Sequence, residues 1–398
     1  MFERAYQQLK NIYHLFQAYF WRMWFGWPDR DMKIYGITGT NGKTTTAIVL
    51  GQILREEFGK QKVGLLSTEV FWLGDEEKKN ETHMTTINSR QVYGYLKRMK
   101  AAGVRQVVVE MTSHALDQNR LAGVTLAGAI ILNITHEHLD YHKTMKEYRR
   151  AKFKIVDYLK AGAPVIITSP LSPLLRKERG TGVRLIEFTS EQAQEVSTPL
   201  PGDFNKENVL AASLLAKEIG IKEEVIKLGI SKVRQIPGRM EWIEFGTVKG
   251  GEAQVVIDFA LTPDALDKLY KYLRNECKGK LIAVFGAAGR RDRKKRPVVA
   301  KTVAAYADEI VITQDEPYDE PEEQIYRELE AGLVDARIPW QRIEDRREAM
   351  SYAIKKVEAG DVVVVTGMGN FNSRGVGDKQ IPWNDIEVAK ELIKETRE

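Results

Sequence analysis

From Lys33 onward, short apolar runs alternate with longer stretches in which apolar residues return every three or four positions. KIYGIT (33–38), VGLLS (63–67), RQVVVE (105–110), AGAIILN (127–133) and PVIIT (164–168) have the length and β-branched content of buried strands. KTTTAIVLGQILREEF (43–58), SRQVYGYLKRMKAAG (89–103) and TMKEYRRAKFKIVDYL (144–159) have a helical period between them. Strands alternating with helices predict an α/β fold with a mostly parallel sheet covered on both faces. A helical stretch from Asn205 to about Lys232 and the turn-like IPGR (236–239) close this series. A second series has strands at AQVVIDF (253–259), KLIAVFG (280–286), EIVIT (309–313) and DVVVVTG (361–367), which predicts a second, Rossmann-like α/β domain.

The start of the chain is different. Tyr13, Phe16, Tyr19, Phe20, Trp21, Trp24, Phe25 and Trp27 crowd one helical-looking segment that ends at Pro28. With Lys10 and Arg22, such a helix suits a membrane interface, where aromatic rings sit at headgroup level. It also suits docking on the protein's own body, which is the reading preferred here.

Composition narrows the classes. At 398 residues, 43% hydrophobic and 29% charged, the chain has ample apolar material for two or three packed domains. The single cysteine, Cys277, excludes a disulfide framework and a cysteine-rich zinc site. No run of about 18 apolar residues occurs, and no cleavable leader is recognisable, so a cytoplasmic protein is expected. A net charge of +5 is small for this length, and only the run Arg290–Arg296, six basic residues in seven, forms a local positive stretch. Without interleaved aromatics to stack bases, that run does not argue for nucleic acid.

The candidate chemistry begins at GITGTNGKTTT (36–46), where glycines, a lysine and hydroxyls stand between a strand and a helix. Backbone N–H groups of such a turn, with the positive helix end, hold phosphate oxygens; Lys43 would reach the terminal phosphates and Thr44 a Mg²⁺ ion. Ile37 occupies the first glycine position of a strict GxxxxGK[ST], with Gly36 one residue early, so a purely structural turn stays open on pattern alone. VVVEMTSHAL (107–116) puts Glu110 at a strand's carboxyl end, where ligands bind in open α/β sheets. ILNITHEHLDYH (131–142) follows Asn133 with three of the six histidines, His136, His138 and His142, in one loop. Carboxylate, hydroxyl and imidazole together suit Mg²⁺ better than a closed zinc cage, and metal contact by at least one of these histidines is expected.

GTNGKT, EMTSHAL, NITHEHLDYH, AKFK, GDFNKENVLAA, IPGRME, IDFALTPDAL and VFGAAGRRDRKKRP occur in the order found in the Mur ligases, and the chain resembles their MurE type most. The resemblance runs from about Lys33 to Glu398. It implies a central ATP-binding domain over 33–237 and a Mur ligase C-terminal domain over 238–398, after the aromatic helical segment over 1–32. It also implies an ADP-forming amide ligase of peptidoglycan biosynthesis, in which ATP turns a muramyl-peptide carboxylate into an acyl phosphate that an amino acid attacks. By resemblance, Gly39, Thr40, Asn41, Gly42, Lys43, Thr44 and Thr45 bind the nucleotide phosphates. Asn205 and Asn208 lie near the adenine, and Arg239 and Asp258 contact the nucleotide. Thr44, Glu110, His138 and Lys152 hold metal, with Lys152 carbamylated. Thr85, Thr86, Ser113, Gln118 and Arg120 line the acceptor side, and Asp315 and Glu316 the amine side. Read without the family, Lys152 would be a surface lysine, Asp258 a strand-end cap, Arg239 a surface arginine, and Ser113 and His114 helix caps.

The departures matter. About 32 residues precede the phosphate-site strand, too few for the UDP-binding domain of a full-length MurE. A lipid-linked acceptor, or a partner subunit that modifies one, is therefore an alternative, as is a folate-polyglutamylating ligase of the same general scaffold. A degenerate nucleotide-binding protein is disfavoured by the joint presence of Lys43, Glu110, His138 and Lys152. The DNPR of diaminopimelate-adding members reads DEPY (315–318) here, their GKGHE reads GMGNF (367–371), and the histidine of their DYAHTP is Leu261. Tyr318 cannot supply the arginine's charge, so diaminopimelate is not expected to be the preferred amine donor.

Overall fold

The computed structural model describes residues 2–179, 183–248 and 251–397. The chain forms two compact units: the residues up to Thr135 with His142–Arg234, and His136–Tyr141 with Gln235 onward.

The first unit is built on β1 (Lys33–Thr38), β2 (Val63–Leu66), β3 (Val70–Leu73), β4 (Glu76–Lys79), β5 (Gln106–Glu110), β6 (Leu126–Ile131), β7 (Pro164–Thr168) and β8 (Arg184–Phe188). They lie in the order β4-β3-β2-β5-β1-β6-β7-β8. Six are parallel; β3 and β4 form an antiparallel edge. That edge was invisible in the pattern because β4 reads EEKK and is solvent-facing, with no apolar alternation to betray it. The chain leaves β1 towards β2 and leaves β6 in the opposite direction towards β7, so the carboxyl ends of β1 and β6 border a crevice. Helix Lys43–Phe58 packs against Asp203–Glu218 and Glu223–Ser231, two helices where the sequence suggested one stretch. The predicted helix over 144–159 is shorter as well: Met145–Phe153, then a 3₁₀ segment Lys154–Tyr158.

The aromatic segment forms helix Phe2–Trp24 and docks on helix Ser89–Ala101. Ala18 is fully buried, and Leu15, Trp21 and Phe25 pack on the core formed by Val92, Leu96, Val107 and Val109. A bidentate pair from Arg22 to Asp29 (2.8 and 3.0 Å) fastens its C-terminal end, and a hydrogen bond from Asn11 to Asp117 its middle. Among the described residues no helix is long and apolar enough to cross a membrane.

The second unit carries β9 (Glu241–Val248), β10 (Gly251–Asp258), β11 (Leu281–Phe285), β12 (Glu309–Ile312), β13 (Trp340–Arg342) and β14 (Val362–Thr366), ordered β13-β12-β11-β14-β10-β9. All pairings are parallel except β9 with β10. A hairpin, β15 (Ser373–Val376) and β16 (Lys379–Pro382), stands apart. Arg346 and Asp385, both without solvent exposure, join helices Arg346–Lys355 and Asp385–Arg397 in a bidentate pair at 2.6 and 2.8 Å. Much of the basic run is ion-paired. Arg290 pairs with Asp319, Arg293 with Glu328, Lys295 with Glu137, and the buried Arg296 with Glu320 and Glu328. Four of its six cations thus have carboxylate partners within the unit.

Candidate active site

Within the first unit, the turn after β1 leads into helix Lys43–Phe58, whose first turn holds no acidic residue. A 16-residue helix presents its first N–H groups at that end, so the turn favours an anion. Gly42 takes φ +83°, and a Cβ there would come within 2.0 Å of Asn208 Oδ1. Only glycine therefore allows the turn to lie on helix Asp203–Glu218. Asn208 donates to Asn205 Oδ1 (3.3 Å) and Asn205 to Pro201 O (2.7 Å), so Asn205 holds the Asn208 amide that lies against the turn.

The turn is clamped from the β6 side. Asn133 O accepts from Thr40 N (2.7 Å), Asn133 Oδ1 from Asn41 N (2.9 Å), and Thr40 Oγ1 from Thr135 N (3.0 Å). Tyr148 OH lies 3.0 Å from Thr40 Oγ1. Lys43 Nζ donates to Gly39 O (3.0 Å) and Thr40 O (2.8 Å), and Thr45 is buried behind it. Lys152 is 2% exposed and donates to Gly39 O at 2.7 Å, its ammonium over the Tyr148 ring. The surface-lysine reading of Lys152 is thus corrected: the helix turns it inward onto the phosphate turn.

Ile37 pairs with Glu110 in the β1–β5 register, which sets that carboxylate beside the turn. Glu110 is fully buried; it accepts from Thr44 Oγ1 (3.2 Å), Thr68 N (2.9 Å) and Thr68 Oγ1 (3.2 Å). Hydroxyl and carboxylate oxygens gathered at a carboxyl edge are the donors a hard cation takes, so Thr44 and Glu110 fit Mg²⁺ by chemistry. The network continues outward. The Thr68 and Thr85 hydroxyls lie 2.9 Å apart, Thr86 donates to Glu110 O (2.8 Å), and Arg120 to Thr86 O (2.5 Å) and Gln118 (3.0 Å). Thr112, not Ser113 or His114, caps the short helix Ser113–Asp117. This frees Ser113, whose buried hydroxyl has no hydrogen-bond partner.

The three loop histidines have different surroundings. His136 bonds Asp292 (2.9 Å) and His138 lies 3.9 Å from Glu137, both within the second unit. His142 is buried in the first unit against the Tyr148 and His114 rings, and burial holds its pKa down at about 4. Among the described residues no three histidine, cysteine or acidic side chains converge as a metal cage.

In the second unit, Asp258 ends β10 and accepts from Met240 N and Ala260 N, each at 2.6 Å. It organises the IPGR turn as the strand-end reading predicts, and burial raises its pKa against the pull of Arg239. Arg239 is half-buried over Phe259, correcting the surface-arginine reading. Phe371, of GMGNF, packs edge-on against Phe259. Asp315 is 3% exposed, its Oδ2 has no hydrogen-bond partner, and burial pushes its pKa up to about 7. A Cβ on Gly289 would meet Pro317 O at 2.0 Å, so the GAAG turn lies directly on the DEPY segment. Glu316 accepts from Gly375 N (3.1 Å), which the Tyr318 ring covers. Beside them Arg374 is 8% exposed; its Nε and Nη1 have no hydrogen-bond partner, its guanidinium stacks on Trp383, and burial lowers its pKa. Sequence reasoning missed Thr68, Tyr148 and Arg374. Thr68 could have been found, since it follows a strand that ends at the same sheet edge as Glu110; Arg374 carried no motif.

A phosphate-cradling turn at a crevice, with a lysine, a hydroxyl and a buried carboxylate around it, defines the first unit as a nucleoside-triphosphate-using enzyme domain of the P-loop kind. Residues 37–172 match the Mur ligase middle domain and 238–369 the Mur ligase glutamate ligase domain. The UDP-N-acetylmuramoyl-L-alanyl-D-glutamate–2,6-diaminopimelate ligase of Caldanaerobacter subterraneus is 31% identical over 392 residues, covering 93% of this chain and 80% of the relative. That of Geobacillus thermodenitrificans is 33% identical, covering 94% and 81%. A solved structure of such a ligase covers 98% of the chain and 83% of its own length at 26% identity, TM-score 0.59. Mycobacterium tuberculosis folylpolyglutamate synthase shares the fold, with TM-score 0.68 at 16% identity over 89% of this chain and 92% of its own. The chain belongs to the Mur ligase family, ATP-dependent ligases that join an acid to an amino acid in cell-wall biosynthesis, and is homologous to its MurE members.

Proposed function

We propose that this ligase adds an amino acid to a muramyl-peptide carboxylate through an acyl phosphate. A carboxylate oxygen of the acceptor attacks the γ-phosphorus of ATP, and ADP leaves. The amine nitrogen then attacks the acyl carbon, phosphate leaves, and the amine's proton is released. Lys43 and the amides of the Gly39–Thr45 turn neutralise charge as two anions are brought together, the main electrostatic demand of the first step. Thr44 and Glu110 would hold the nucleotide's Mg²⁺, which when bound supplies Lewis-acid charge stabilisation, and in the family pattern His138 and a carbamylated Lys152 serve a second ion. Thr85, Thr86, Ser113, Gln118 and Arg120 orient the acceptor. Asn205 and Asn208 lie near the adenine, and Arg239 and Asp258 are the further nucleotide contacts of the family pattern. The observation that carries this reading is the hydrogen-bonded set Lys43–Thr44–Glu110–Lys152 around one phosphate turn in a chain about a third identical to MurE-type ligases.

The preferred amine donor is an amino acid other than diaminopimelate, its carboxylate taken by Arg374 and its amino end by Asp315 and Glu316. Support comes from the buried guanidinium with two unsatisfied donors near a buried carboxyl with one unsatisfied oxygen. Phosphate release from ATP and Mg²⁺ with UDP-muramyl-dipeptide and a panel of amino acids, with the product weighed by mass, tests both statements. One ligated amino acid is expected, and loss of most of kcat/KM in Arg374→Gln. Several-fold faster turnover with diaminopimelate than with lysine, ornithine or alanine would overturn the donor assignment. Turnover only with a lipid-linked acceptor would move the reaction to that substrate.

A further inference from the structure

Helix Phe2–Trp24 uses only one face for docking. Its other face carries Leu9, Ile12, Tyr13, Phe16, Tyr19, Phe20, Met23 and Trp24, all exposed, Phe16 by 70% and Trp24 by 68%. The three-and-four spacing lines them along one outward stripe. A soluble surface rarely shows so many contiguous large apolar groups without a use. From Arg4 to Pro28 the sequence contains no acidic residue. Cations border the stripe: Lys10 on the helix, Arg30 beyond it over Trp27, Arg90 over Trp21 and Lys97 over Phe25. Asp29 and Asp31, the first acids that follow, are paired with Arg22 and Lys100.

We propose that this stripe is an interfacial anchor that lays the protein on an anionic bilayer surface, with the helix axis in the membrane plane. Charge complementarity selects this occupant: apolar rings enter the acyl boundary while bordering cations meet anionic headgroups. Tyrosine and tryptophan favour that boundary because each keeps a polar tip in the headgroup layer. A second copy of the chain would instead set Lys10, Arg90 and Lys97 against their own like charges. The anchor is independent of the ligase assignment, since it shares no residue with the phosphate turn.

The test is flotation of the full chain with phosphatidylcholine vesicles, with and without about 30% phosphatidylglycerol, at low and high salt. Tryptophan emission is followed in parallel. Binding is expected only with the anionic lipid, weakened by salt and accompanied by a blue shift. Phe16→Ser/Phe20→Ser/Trp24→Ser should lower the bound fraction at least tenfold, and a circular dichroism spectrum like the parent's shows that the fold is kept. Absence of flotation by the parent, or equal flotation by the triple variant, overturns the proposal. So does a parent dimer that the triple variant converts to monomer without any vesicle binding.

Discussion

At the scale of single residues, the site is governed by close approach and burial. Gly42 is the sharpest case: its positive φ and the 2.0 Å approach of Asn208 leave no room for a methyl group. Gly42→Ala should lose about 2 kcal/mol or more of stability and most ATP affinity, read by thermal melts with and without nucleotide. His142 sets a pH dependence. Its folded pKa of about 4 lies below the ordinary 6.5, so the unfolded chain takes the proton first. The stabilisation is complete above pH 6.5 and is lost progressively as pH falls towards 4, by on the order of 3 kcal/mol. His142→Phe, which keeps the ring packing, should flatten the melting temperature between pH 7 and 5; an unchanged slope would assign the acid sensitivity elsewhere.

At the scale of elements, the phosphate turn is held by loops that lie far from it in sequence. Asn133 closes both sides of the junction between the turn and the end of β6. Asn133→Ala should raise the KM for ATP several-fold while leaving the core intact, seen as a KM change with little loss in unfolding temperature. In the second unit the Arg346–Asp385 pair joins two helices and also donates to Gln314 O and Thr366 O beside the DEPY segment. Removing one partner of a fully buried pair strands the other charge, so Asp385→Ala should cost about 3–5 kcal/mol. Denaturant titration of that variant against the parent measures it. The strands and helices around these points were legible where apolar periodicity was strong, as in RQVVVE and AQVVIDF. They were not legible at β4, whose side chains are all polar, nor at β13 and the β15–β16 hairpin, whose short runs carry little periodicity.

At the scale of the whole molecule, each unit has its own apolar core. Calorimetry should therefore resolve two transitions, with Asp385→Ala shifting one and Gly42→Ala the other; a single transition displaced equally by both would contradict this. The sequence by itself determined the alternation of strands and helices, the phosphate turn and the family, because these rest on local order: glycine spacing, a strand's last residue, a helical period. It also exposed the changes at DEPY and GMGNF. Only the tertiary structure decided that Lys152 points inward to Gly39, that Thr112 rather than Ser113 caps its helix, and that four cations of the basic run pair with acids 24 to 158 residues away. It alone also revealed that Arg374 is buried with unsatisfied donors and that the aromatic helix turns eight apolar side chains outward. Burial and charge pairing depend on which distant segments meet, and that is a property of the packed chain rather than of any stretch of it.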